Sequence, residues 1–116
     1  MRFLLDTCAL IQAALDSENL GPAARRMILN EGSSRLISTV SLVELSTLIA
    51  RGRIEWSLSA ISDALSDLLV EVIRFRRSHM ERCFALPLFK EHGDLIDRMI
   101  IGTALAEGCP VVTSDR

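Results

Sequence analysis

Short apolar runs alternate with longer stretches of helical spacing, and this alternation limits the fold more than any other property of the chain. Residues 2–5, Arg35-Leu36-Ile37-Ser38, Val70–Phe75 and Pro110–Thr113 read as strands. Short continuous apolar runs suit strands buried on both faces of a parallel sheet. Between them the spacing is helical. Cys8 to Asp16 reads as a short helix, and Gly21-Pro22 leads into another over Ala23–Asn30. Glu31-Gly32-Ser33-Ser34 breaks that helix. Ser41 with Glu44 three residues later has the form of a capping box, opening a helix that ends near Gly52. Ser57 caps a helix with Leu58, Ile61, Leu65, Leu68 and Leu69 as its apolar stripe. Ser78–Ala85 is helical, Pro87 ends it, and Leu88–Gly93 is a loop. Asp94 opens the longest helix, which runs to Glu107 with Gly108 as its C-terminal stop. The expected fold is α/β, a three-layer sandwich whose central parallel sheet is flanked by helices.

With 116 residues the chain forms one domain, residues 1–116. Its 49% hydrophobic content is high for that length and hints at surface buried against a partner. A net charge of −2 excludes a general polyanion binder. The bases are lopsided, twelve Arg against the single Lys90. Arg grips phosphate in a planar fork, although such a bias also arises from genome composition. Arg74, Arg76 and Arg77 form a small basic run, either a solvated face or an edge that holds phosphate. Cys8, Cys83 and Cys109 are odd in number and far apart, which suits a reduced cytoplasmic protein. His79 and His92 fit no ligand spacing and read as surface residues, and Trp56 reads as packing. Asp6 interrupts the first apolar run too early for a signal peptide, and no run approaches the ~20 residues of a membrane span.

Four carboxylates occupy related places. Asp6 closes the strand Phe3-Leu4-Leu5, and Asp115 follows Val111-Val112-Thr113-Ser114 in the same way. Glu44 lies within an apolar helix, and Asp97 stands in the first turn of another. Each has a structural reading: Asp6 as an N-cap, Glu44 as the partner of Ser41, Asp94 as a cap beside Asp97. Together they are less ordinary. In parallel α/β proteins, strand carboxyl ends and the following helix starts share one crevice. At ~5 Å and an effective dielectric of about 20, each carboxylate pair there costs roughly 3 kcal/mol. A divalent cation with oxygen ligands offsets that repulsion, and acids alone favour Mg²⁺ or Mn²⁺ over zinc. Thr7, Thr113 and Ser114 add small hydroxyls nearby, suited to orienting carboxylates or metal-bound water.

Leu4-Leu5-Asp6-Thr7, Ser38-Thr39-Val40-Ser41-Leu42-Val43-Glu44-Leu45, Asp97-Arg98-Met99-Ile100-Ile101-Gly102-Thr103-Ala104 and Val111-Val112-Thr113-Ser114-Asp115-Arg116 together resemble a PIN domain of the VapC toxin type. The resemblance spans essentially the whole chain and rests on motif order and spacing. It implies a Rossmann-like sandwich and Mg²⁺- or Mn²⁺-dependent cleavage of RNA. It also implies a cognate antitoxin protein and a homodimer. By position, Asp6, Glu44 and Asp97 correspond to the family's three core acids and Asp115 to a frequent fourth. Arg98 matches a recurring basic position. The family often has Pro after the acid matching Asp94, where this chain has Leu95, and such domains usually continue beyond the point matching Arg116.

The mechanism this implies is metal-assisted phosphodiester hydrolysis, with Asp6, Asp97 and Asp115 as ligands and Glu44 acting directly or through water. A phosphatase of the haloacid-dehalogenase pattern would need an Asp two residues after Asp6, where Cys8 stands. The alternative from another class is a non-catalytic interaction module of the same fold, which would bind no divalent ion specifically.

Overall fold

A computed structural model describes residues 1–16, 20–87 and 94–113. Four parallel strands form one sheet: β1 (Arg2–Leu5), β2 (Ser34–Ser38), β3 (Val70–Ile73) and β4 (Val111–Val112), in the order β3-β2-β1-β4. Between them run α1 (Thr7–Ala14), α2 (Pro22–Leu29), α3 (Thr39–Ala50), α4 (Leu58–Asp67), α5 (Arg77–Ala85) and α6 (Leu95–Glu107). The expected α/β sandwich is what forms. The central β1 is sealed on both sides, with Phe3, Leu4 and Leu5 all at 0% exposure.

Side chains alternate across the sheet, so each face takes its own set. Phe3, Leu5, Ile37 and Val112 meet Leu10, Ile28 and Leu45 on one face, with Ile61 and Leu65 packed behind. Leu4, Leu36 and Ile73 meet Ile100 and Ala104 of α6 on the other. Against α6 lies α5, close enough to require glycine. A Cβ on Gly102 would stand 2.5 Å from Cys83 Sγ and 3.0 Å from the His79 carbonyl oxygen.

Two arginines serve the frame. Buried Arg35 donates to the carbonyls of Ile28, Ser33 and Asn30, tying the end of α2 to β2. Arg98 donates to the carbonyls of Cys83, Leu86 and Pro87, closing the end of α5 from the first turn of α6. Both supply donors to the carbonyls a helix end leaves unmet.

Three expectations need correction. Ser41 does not cap α3. The cap is Ser38, whose Oγ accepts from the Val40 amide at 3.1 Å, because β2 runs into α3 without a loop. Ser41 therefore sits inside the helix, fully buried. The stripe of α4 is narrower than its spacing suggests. Ile61, Leu65 and Leu68 pack on the core, whereas Leu58 and Leu69 are exposed and Leu69 has a positive φ of 53° just past the helix end. The strand read to Phe75 stops at Ile73, since the Phe75 amide donates to the Thr39 hydroxyl at 3.2 Å instead of to a strand. The loop at Leu88–Gly93, with Lys90 and His92, lies outside the described residues.

Candidate active site

Strand register brings the candidate residues to one edge. Leu5 pairs with Ile37 and with Val112, so Asp6, Ser38 and Thr113 leave the sheet side by side at its carboxyl ends. The Asp6 amide donates to the Val112 carbonyl at 3.1 Å. Its carboxylate accepts from the Ala9 amide at 2.7 Å, so Asp6 is the N-cap of α1. The structural reading of Asp6 thus holds, and it fixes where the carboxylate points.

Thr7, the first residue of α1, is buried and donates its hydroxyl to Glu44 Oε1 at 2.5 Å. The same hydroxyl stands 3.5 Å from the Ser41 carbonyl. Glu44 is therefore not the partner of a cap. It is half-buried and held by the residue that follows Asp6. Beside it, Ser41 Oγ is buried with no hydrogen-bond partner among the described residues. A buried hydroxyl left unmet costs about 1–3 kcal/mol unless water or another group reaches it.

Asp97 comes from the opposite direction. Glu107, at the end of α6, lies against Arg2 at the start of β1. With 13 residues at 1.5 Å each, α6 spans about 20 Å and runs against the strands. Its first turn thus returns to the carboxyl edge, where α6 touches α3. Asp94 is the N-cap, accepting from the amides of Ile96 at 2.7 Å and Asp97 at 3.4 Å, which leaves Asp97 exposed in the first turn. Asp115, two residues past Thr113, lies outside the described residues. Among the described residues no three His, Cys, Asp or Glu side chains stand close enough to hold a metal together.

The opposite edge holds a second cluster, which the sequence reading missed. His79 is not at the surface. It is fully buried, its Nε2 lies 2.7 Å from Glu107 Oε2, and its Nδ1 accepts from the Arg76 amide at 3.1 Å. Arg2 holds the other Glu107 oxygen, Oε1, at 2.9 Å, while Arg76 lies 3.9 Å from Oε2. The hydrogen bonds from His79 and then Arg2 keep the Glu107 carboxyl below its ordinary range, and burial only partly opposes them. Helical spacing offered a signal, because His79 and Cys83 fall on one side of α5. Burial pushes the Cys83 and Cys109 thiols up, so neither is poised as a nucleophile.

The fold is that of an α/β protein in which Asp6, Glu44 and Asp97 belong to elements that begin at the carboxyl edge of a parallel sheet. The PIN domain family model matches residues 3–116, and the chain belongs to the PIN domain family. The crystal structure of VapBC2 from Rickettsia felis bound to a DNA fragment from their promoter contains a similar chain. It shares 19% identity at a TM-score of 0.67, over 96% of this chain and 86% of that one. A chain of a toxin-antitoxin complex from Klebsiella pneumoniae shares 21% identity at a TM-score of 0.59, over 93% of this chain and 82% of its own. At such identities the likeness is one of fold. No curated protein matches the chain.

Proposed function

We propose that this chain is a divalent-metal-dependent endoribonuclease and the toxin of a toxin–antitoxin pair, with Asp6, Glu44, Asp97 and Asp115 as its acids. The observation that carries the reading is the bond from Thr7 to Glu44, which ties the residue after Asp6 to the second acid at the edge where α6 brings Asp97. The donors are all hard oxygens, which fits Mg²⁺ or Mn²⁺. Mg²⁺ keeps several waters and takes only one or two carboxylates, so three in mutual contact are not required. Asp6, Asp97 and Asp115 are the residues that would hold the ion. Once bound, the metal supplies an acidified water and neutralises charge on the scissile phosphate. Asp6, fixed by the Ala9 amide, presents one orientation to the crevice. Thr7 orients Glu44 so that its second oxygen can accept a proton from water.

The two similar complexes support an antitoxin partner, and an amphipathic helix laid in a groove is the expected mode. A homodimer accounts for the high apolar fraction. No helix among the described residues is long and apolar enough to cross a membrane, and the odd cysteine count with wide spacing suits the cytoplasm.

Purified protein incubated with defined RNAs tests this reading. Cleavage is expected with Mg²⁺ or Mn²⁺ and none with a chelator. Cleavage that persists in chelator overturns the metal-dependent reading. A second reading, a non-catalytic module, fits the finding that no three ligands cluster among the described residues. Calorimetric titration separates the two, because a bare scaffold takes up no divalent ion.

A further inference from the structure

The basic run at Arg74 takes no part in the carboxyl-edge site, and Phe75 within it lines an open apolar groove. Phe75, Met80, Cys83, Phe84, Leu95 and Met99 line that groove, of about 370 Å³, between α5 and α6. Phe84 is 82% exposed and Leu95 70%, so two large apolar side chains face water. Arg77, Met80 and Phe84 follow one another at helical spacing along α5, about 10 Å from end to end. Residues 74–82 carry four arginines against one glutamate in a chain whose total is −2, and with Arg76 drawn to Glu107 at 3.9 Å, Arg74, Arg77 and Arg82 remain against Glu81. Arg77 meets Glu81 at 3.3 Å, but both are exposed, and such a pair contributes well under about 1 kcal/mol. The groove reaches Leu95, two residues before Asp97.

We infer that this face binds the single-stranded RNA presented to the acids: Phe84 stacks on a base, and Arg77 and Arg74 hold its phosphates. The inference rests on the ribonuclease reading. Charge decides between occupants. A second copy related by a two-fold axis would set these arginines against themselves, whereas a polyanion meets them favourably. Aromatic stacking beside cations is how single strands are held without sequence preference.

The test is anisotropy of a labelled single-stranded oligoribonucleotide, without divalent ion so that nothing is cut. Phe84→Ala is expected to weaken binding about tenfold, Phe84→Trp to keep it, and Phe84→Leu to bind as poorly as the alanine variant. Arg77→Ala should weaken binding and make its salt dependence shallower by about 0.7 per decade. Wild-type affinity in Phe84→Ala and Arg77→Ala overturns the inference, as does wild-type affinity in Phe84→Leu. It also falls if sedimentation shows Phe84→Ala splitting a dimer while RNA affinity is unchanged, since the face then belongs to a second copy. Phe84-dependent binding without cleavage in metal supports this face and rejects the ribonuclease. Cleavage with an unchanged KM in Phe84→Ala rejects this face and keeps the ribonuclease.

Discussion

The two ends of the sheet treat half-buried glutamates in opposite ways. At the amino end, Glu107 is surrounded by donors: His79 at 2.7 Å, Arg2 at 2.9 Å and Arg76 at 3.9 Å. At the carboxyl end, Glu44 receives one hydroxyl and makes no ion pair among the described residues, while α6 brings a second acid, Asp97, toward it. A satisfied cluster stabilises the fold, and breaking it leaves a charge or dipole stranded. The carboxyl edge is where the proposed cation would arrive, and its charge would then set the local electrostatics. The same α6 serves both ends, carrying Asp97 on its first turn and Glu107 on its last.

The largest expected contrast is in catalysis. Asp97→Asn keeps shape and removes charge, and RNA cleavage should fall about a thousandfold or more, as when a catalytic group is lost. Its unfolding free energy should stay within about 1 kcal/mol of wild type, since Asp97 is exposed and the first-turn charge it loses is worth about that much. Denaturant melts checked against cleavage rates would expose any loss due to misfolding.

Glu107→Gln should show the reverse. Chemical denaturation is expected to reveal a loss of about 3 kcal/mol, because His79 stays buried beside a weaker acceptor. The cleavage rate should be nearly unchanged. Acidity sharpens this point. Glu107 is held below its ordinary range when folded, so its contribution is complete above the ordinary carboxylate pKa and is lost as pH falls through the depressed folded value. Denaturation midpoints followed from neutral to acid pH should fall less steeply for Glu107→Gln than for wild type.

Gly102→Ala tests the α5–α6 contact that carries His79 to Glu107. The new methyl meets Cys83 Sγ and two backbone atoms, so a loss of about 2 kcal/mol is expected in thermal melts. A neutral result would mean that α5 and α6 separate easily. The smallest effect belongs to the bond from Thr7 to Glu44. Thr7→Val keeps the volume but removes the donor, which should slow cleavage about tenfold with little change in melting temperature. A rate equal to wild type would remove Thr7 from the account of Glu44.

Much of this contrast was legible in the sequence, and the parts that were not have physical reasons. The strands stood out because buried parallel strands are apolar on both faces, as Phe3-Leu4-Leu5 is. The caps at Ser57, Asp94 and Gly108 followed from local chemistry alone. Ser41 misled because Ser38 has the same chemistry three residues earlier. Only the register of β2 decides which hydroxyl meets an unbonded amide. Burial of His79 depends on Glu107, 28 residues away, so its spacing on α5 was visible but its partner was not. Leu69 fits a helical stripe, yet the helix has already ended when it is reached. Asp6 shows the limit of choosing between readings, since the cap is real and the carboxylate still stands at the crevice.

The most direct measurement compares the two ends in one assay. Initial rates of RNA cleavage in Mg²⁺ are followed for wild type, Asp97→Asn and Glu107→Gln at a temperature where all three remain folded by circular dichroism. The account predicts near-wild-type cleavage by Glu107→Gln and almost none by Asp97→Asn. Wild-type cleavage by folded Asp97→Asn would contradict it, because the acids at the carboxyl edge would then not be the catalytic ones.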